Sequence, residues 1–590
     1  MKKGFTLFLS LFVFSAIFAQ EKKKEQAKDT VKTEVVNVIT KYNPKIADAK
    51  KIKKNPTIKL LKKSEKKKLE YTIFSAPVAS TFTPKSGVVK GIDVGVKERI
   101  YKNYLAAGFG NYTTPYIEAF IHHSTRFENE FGLSAKYLSS QDNVSRSVLN
   151  SNFSNFNTSF FYKQEDRYFH WKATLNTERN RYNWYGLPSE TPYTESTISL
   201  INPQQTYNYL NLIGEFNFID SYIDYGKISA AYFTDDYGSK EILANFNAKL
   251  DFPLSFLHLG LDDISVKASV EFLKGEFNNS YTDKNKVTYS TVTAKLHPEY
   301  KLSYKGFSLN TGLKIIASLD SENDITNLFL FPEIKIQREI IKDYLNAYGG
   351  LTGGLKTNTY KNFTEENPYV SPTLFITQTA ETSNFYLGFN GKVNNNISFN
   401  IVGILKTEED KPLFFRNNSK SDGTSNFSNG LSLLGYEYGN SFDIFYDDVK
   451  TTTIFGEIAY DFSKKITLGT NFQYDMYTVT NAITKWNLPD MQATIFGKYK
   501  SDKWYATSNI FYVSDRESVI YNDAYPSSIK GTKWLANFVD INLNGGYHFN
   551  DKFSAFLKLN NILNSNYQRF ANFDTQGFQV LGGITYKFDF

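Results

Sequence analysis

The sequence predicts an all-β chain that closes into a transmembrane antiparallel β-barrel of about 22 strands. Three observations carry that expectation. The 590 residues include 51 Phe and 41 Tyr against 5 Trp and 3 Met, a supply that favours strands over helices. From about residue 100 onward, apolar and polar side chains alternate in segments of roughly 9–13 residues, the period of a half-buried strand. The connections between segments fall into alternating short and long sets, as in barrels that turn tightly on one side of a membrane and loop widely on the other.

The alternation is cleanest toward the C-terminus. Phe578, Val580, Gly582, Ile584, Tyr586, Phe588 and Phe590 share one face, and Gln579, Leu581, Gly583, Thr585, Lys587 and Asp589 share the other. Likewise Val539, Ile541, Leu543 and Tyr547 oppose Asp540, Asn542, Asn544 and His548, while Leu468, Phe472, Tyr474 and Met476 oppose Thr467, Asn471, Gln473 and Asp475. A soluble sandwich shows the same period, so strand length and turn pattern decide: a membrane strand needs about 9–11 tilted residues. Short connections at 501–503, 463–465, 393–396, 304–306 and 550–552 alternate with long ones near 565–575, 515–535, 408–440, 358–383 and 180–206. The short turns and the C-terminus are expected to face the periplasm, and the long loops the outside.

Ahead of the barrel, which the pattern places at 101–590, three segments are expected. Residues 1–19 read as a signal peptide: Met1-Lys2-Lys3, an apolar run from Leu7, and the small residue Ala19 at the cleavage point. That run is shorter than the ~20 residues of a spanning helix. Residues 20–70 form a basic arm, disordered or ordered by a partner: positions 21–70 carry 17 basic and 7 acidic side chains with few aromatics, too little apolar surface to bury a core. Residues 71–100 are a connector or lumen-filling segment. Within the arm, Glu34, Val35, Val36, Asn37, Val38 and Ile39 form a β-branched patch suited to adding as a strand to a partner. An exported basic arm meets lipid headgroups or acidic partners, and no nucleic acid is expected among them.

Chemistry-bearing constellations are sparse. The absence of cysteine excludes disulfide scaffolds, zinc-thiolate modules and thiol enzymes. His122, His123, His170, His258, His297 and His548 are scattered, and the sequence pairs none of them with carboxylates at ligand spacing. Asp447-Asp448, Glu408-Glu409-Asp410 and Asp235-Asp236 supply oxygens that calcium could use in surface loops. No Asp-x-Asp-x-Asp-Gly loop accompanies them, so no cofactor is expected, and no enzyme. The polar faces point into the lumen, where Glu457, Asp461, Asn471, Asp475, Asn542, Asn544, Lys558 and Lys587 are the candidates for what passes or what holds a filling in place.

The closing stretch Leu559-Asn560-Asn561-Ile562-Leu563-Asn564-Ser565-Asn566-Tyr567, followed by Gly577-Phe578 and a final strand ending Tyr586-Lys587-Phe588-Asp589-Phe590, resembles the C-terminal signature of TonB-dependent outer-membrane receptors, especially those of the Bacteroidota. The resemblance implies an outer-membrane location, a periplasmic arm, insertion by the barrel-assembly machinery through the terminal aromatics Tyr586, Phe588 and Phe590, and an energising periplasmic partner or a surface lipoprotein. The family's globular plug has no recognisable counterpart in the residues ahead of the barrel. Two functional expectations follow: a receptor-like barrel that binds or transports a substrate through its lumen and long loops, or a non-transporting accessory subunit of an outer-membrane complex that docks partners through its loops and arm.

Overall fold

Alternation at period two gives each strand one apolar and one polar face, and in this chain the apolar faces of 22 strands form the outside of one closed sheet. A computed structural model describes residues 101–125, 129–252, 264–283 and 285–590. By internal contacts the chain divides into Met1–Asp93 and Val94–Phe590, and every described residue belongs to the second unit. The expected signal peptide (1–19), basic arm (20–70), connector (71–100) and patch Glu34–Ile39 therefore lie outside the described residues.

Each wall strand pairs antiparallel with its neighbours in sequence. The first, Asn103–Gly110, closes the ring against the last, Gln579–Phe588, in a register running from Asn103 opposite Phe588 to Gly110 opposite Leu581. Glycine lines this seam for a steric reason. A Cβ on Gly583 would sit 2.4 Å from the Ala107 carbonyl oxygen and 2.3 Å from the Phe556 ring, so a side chain there would force the seam apart.

Exposure identifies the outer face. Leu328, Leu330, Ile334, Ile336, Leu387 and Ile401 are all solvent-accessible large apolar residues on successive outward positions. A water-soluble protein rarely leaves so extensive an apolar belt uncovered, whereas a membrane barrel requires it. Short turns such as Lys305-Gly306, between Val287–Tyr304 and Phe307–Asp320, collect at one end with both barrel termini. Long connections at 184–203, 357–378, 417–441, 514–537 and 561–578 collect at the other, which the sequence expectation makes the outer end.

The expected loop boundaries need one correction. Ile397–Arg416 and Phe442–Ser463 run 20 and 22 residues, well past what a bilayer requires, because their upper parts bury Leu413, Ile444 and Val449 among the outer loops. Glu408-Glu409-Asp410 and Asp447-Asp448 consequently sit in this extended strand pair, at a bulge between Glu408 and Lys411, rather than in surface loops.

Placing a charge on the outward face tests the membrane assignment. Ile334→Arg, in the middle of Ile325–Ile341, is expected to cost about 2–4 kcal/mol of folding stability in lipid bilayers. Loss of the heat-resistant folded band on gels measures it; an unchanged band would contradict a lipid-facing Ile334.

Candidate functional site at the sealed outer mouth

The long-loop mouth carries a loop folded inward. After Leu345–Lys356 the chain turns into the barrel and forms the short helix Tyr360–Glu366, whose Thr359 side chain caps it by accepting from the Asn362 amide at 3.1 Å. Its first two amides, Tyr360 N and Lys361 N, donate to the Glu241 carboxylate at 2.6 and 3.1 Å. The Tyr360 hydroxyl donates to Asp235 at 2.9 Å, and the Lys361 ammonium to Glu178 at 2.6 Å. Glu178, Asp235 and Glu241 belong to three different wall strands, so one inward loop is pinned to the wall at three places away from its own strands. Its return limb is fixed by Ser371 N donating to Phe442 O at 2.8 Å and by Phe442 N donating to Tyr369 O at 3.0 Å.

Around these polar pins the loops share an apolar core. Tyr207, Phe233, Leu273, Phe277 and Tyr289 from the wall meet Tyr360, Phe363, Val370 and Leu374 from the inward loop and Phe570 and Phe573 from the last loop. Tyr369 stacks on Phe573 with ring centroids 3.7 Å apart, and Tyr185 meets Phe573 edge-on at 5.0 Å. Each fully buried large apolar side chain contributes about 1.5–3 kcal/mol toward the ordering of these loops.

Buried charge locks the upper layer. Lys420 and Glu437, 5% and 1% exposed, pair at 2.6 Å. The Lys420 ammonium also lies 4.6 Å from the Tyr281 ring centroid, and Glu437 accepts the Leu434 amide at 2.7 Å. Arg416 pairs with Glu190 and donates to the Val519 carbonyl at 3.0 Å. Arg516 donates to the carbonyls of Arg569 and Gln568, both at 2.7 Å. Burial, with Arg569 nearby, lowers Arg516 to about 10, which still leaves it charged at neutral pH.

The sequence-selected lumen residues fall on inward positions of their strands, but along the barrel and not in one site. Asn471 stands opposite Glu457 in register. Asp475 accepts from Thr453 at 2.5 Å and from Gln473 at 2.8 Å, and Asp461 accepts from Thr467 at 2.7 Å. Asn542 accepts the Asn561 amide at 3.1 Å, Asn544 pairs with Lys558, and the Lys558 ammonium lies 4.1 Å from the Tyr116 ring. Lys587 stands opposite Tyr104 across the seam. Tyr586, Phe588 and Phe590 form an outward ring series at the C-terminal edge. Three of the suggested calcium ligands are engaged by protein donors: Asp447 accepts the amides of Thr480, Asn481 and Ala482, Glu408 lies between Lys406 and Lys411, and Asp235 accepts from Tyr360 and the Ser239 amide.

The histidine reading requires a second correction. His297, Glu299 and Glu333 bring their ligand atoms within 4.8 Å of one another. The sequence signal was present: His297 and Glu299 stand two apart and therefore share the lumen face of one strand. Gly312 pairs with both Glu299 and Glu333, and its missing side chain lets those residues meet, since a Cβ there would lie 2.8 Å from His297 Nε2. The cluster is nevertheless an ion network. Glu333 is held by Lys314 at 2.7 Å and Lys335 at 2.5 Å, and Glu299 by Lys267. Three ammonium groups already supply the positive charge that a metal would bring.

No family model and no curated protein matches the sequence. Solved structures do match in fold. The FrpB iron transporter from Neisseria meningitidis superposes with a TM-score of 0.61 at 10% identity, over 83% of this chain and 82% of that one. The ferric enterobactin receptor PfeA from Pseudomonas aeruginosa gives 0.59 at 10% identity, over 82% and 80%. The pyoverdine outer membrane receptor FpvA from Pseudomonas aeruginosa PAO1 gives 0.59 at 11% identity, over 83% and 78%. At such identities the likeness is one of fold. The class defined is a closed 22-strand antiparallel β-barrel, and the similar structures are those of receptors and transporters.

Two substitutions probe the mouth and the network. Lys420→Ala strands the Glu437 charge and is expected to destabilise the loop layer by about 3–5 kcal/mol, seen as faster proteolysis within 417–441 while the wall stays protease-resistant. Gly312→Ala forces His297 aside and is expected to cost about 1–3 kcal/mol, read as a lowered thermal midpoint in detergent.

Proposed function

We propose that this protein is an outer-membrane receptor-like barrel that captures a substrate at its sealed outer mouth and passes it inward when the inward loop releases. The observation that carries this reading is the mouth itself: a loop anchored to lumen carboxylates on three strands, which is a closure built on the path a solute would take. Its fold is shared with proteins named as an iron transporter and as receptors for ferric enterobactin and pyoverdine, and a ferric chelate is the substrate class we assign. The comparisons lend no support to a purely structural accessory subunit.

A small polar cleft of about 220 Å³ on the outer loops suits initial contact with an anionic chelate. Arg146, Lys533, Gln568, Asn572 and Asp574 line it. Lys533 donates to Asn572 Oδ1 at 2.8 Å, which leaves the Asn572 amide nitrogen without an acceptor. Burial lowers the Lys533 pKa, a cost that a bound anion would offset. In this reading the inward residues from Glu457 to Lys587 line the path, the patch Glu34–Ile39 is offered to an energising TonB-type partner in the periplasm, and Tyr586, Phe588 and Phe590 address the insertion machinery.

Trp184 is buried in the loop layer and serves as a reporter. Titration with catecholate and hydroxamate iron chelates is expected to quench tryptophan fluorescence saturably for at least one of them, and Arg146→Glu with Lys533→Glu to weaken that binding about tenfold or more. No quenching by any chelate would reject the iron-chelate assignment. In planar bilayers the intact protein is expected to stay closed and Lys420→Ala to show openings; a large steady pore in the unaltered protein would reject the sealed mouth.

A further inference from the structure

The lipid-facing wall carries a cationic arc near the outer end that neither the lumen nor the loop layer uses. Arg179, Asn208, Thr234, Lys240 and Glu276 form one continuous cross-strand row: Arg179 pairs with Asn208, Asn208 with Thr234, Thr234 with Lys240, and Lys240 with Glu276. Their faces are outward, because Leu175, four residues from Arg179, and Ile242, two from Lys240, are exposed apolar residues of the same strand faces. The next row toward the membrane reads Leu210, Tyr232, Ile242 and Lys274, again by direct pairing. Leu210, Tyr232 and Ile242 are all exposed. A band of apolar groups thus gives way within one step along the strands to a band of hydrogen-bonding and cationic groups.

The arc is unbalanced in charge. Arg179, Arg181, Lys240, Lys274 and Lys286 outnumber the two carboxylates that border them: Glu276, paired with Lys286 at 2.7 Å, and Glu322, which accepts at 3.0 Å from Thr288, the next position in the row. Among the described residues no ion pair holds Arg179, Arg181, Lys240 or Lys274, and the Arg181 Nε is buried without an acceptor. Arg179 and Lys240 stand three strand spacings apart, about 14 Å, so they reach separate charged groups on one large ligand. Cations on a lipid-facing surface just beyond the hydrocarbon boundary recognise anionic headgroups.

We infer that this arc binds the phosphorylated headgroup of a glycolipid in the outer leaflet. The inference rests on the outer-membrane reading of the fold, which places the long-loop end of the barrel among such headgroups. The apolar row packs against acyl chains, Asn208 and Thr234 supply neutral hydrogen bonds at the boundary, and the guanidinium and ammonium groups neutralise the phosphates. Arginine contributes a bidentate fork to a phosphate oxygen pair, and the two lysines add point charges.

The test uses the full chain reconstituted into phosphatidylcholine vesicles containing either bisphosphorylated lipid A or its dephosphorylated form. Glycolipid retained per protein after detergent extraction is counted by mass spectrometry. The unaltered protein is expected to retain the phosphorylated form at least fivefold over the dephosphorylated one. Arg179→Ala with Lys240→Ala and Lys274→Ala is expected to abolish that preference, and Lys450→Ala, an exposed cation on another strand, to leave it intact. Equal retention of both lipids, or an undiminished preference in the triple variant, would overturn the inference, as would displacement of the lipid by millimolar inorganic phosphate, which would mark a free-anion site. Failure of the unaltered protein to insert into either vesicle, read by lost protease protection, would instead overturn the membrane reading beneath it.

Discussion

Everything in this molecule depends on the hydrogen-bonded seam between Asn103–Gly110 and Gln579–Phe588. In hydrocarbon an unpaired backbone amide or carbonyl costs several kcal/mol, so a sheet can cross a membrane only if it has no edge. Joining the first strand to the last removes the edge at a stroke, and it requires the closely opposed glycines that allow the two backbones to meet. Once the ring is closed, the period-two alternation sorts side chains without further instruction: apolar groups outward into lipid, polar groups inward. The lumen is then a polar interior that has to be filled or guarded.

The outer mouth solves that problem by folding loops inward, with two kinds of interaction dividing the work. Apolar burial around Tyr360, Phe442, Phe570 and Phe573 supplies the stability, while carboxylates on the wall and the Lys420–Glu437 pair supply geometry. A buried ion pair contributes little net stability compared with apolar side chains of the same size. Its consequence is specificity of position, since each charged group tolerates one partner and one orientation. The result is a loop layer that is apolar at its centre and polar at its anchor points.

The wall was legible because its code is local: strand period, turn length and terminal aromatics can each be read within a dozen residues. The same locality explains the two misreadings. Glu408-Glu409-Asp410 looks like a loop tip, yet Leu413 and Ile444 continue the pairing above it because they are buried by loops distant in sequence. The His297, Glu299 and Glu333 network joins two strands across a third, and only the register, through Gly312, makes them neighbours. The mouth was invisible for a stronger reason. Glu178, Asp235 and Glu241 look like ordinary lumen charges until a loop more than a hundred residues later presents Tyr360 and Lys361 to them.

That loop also has a mechanical meaning. It leaves the wall after Leu345–Lys356, crosses to Glu241, Asp235 and Glu178, and returns to Phe442, so it is a chord drawn across a ring. A ring of strands without a chord flattens easily into an ellipse under lateral pressure from the surrounding bilayer, whereas a chord fixes its width along one diameter. Release of the chord would soften the barrel, so the shape of the wall and the position of the loop become one mechanical variable.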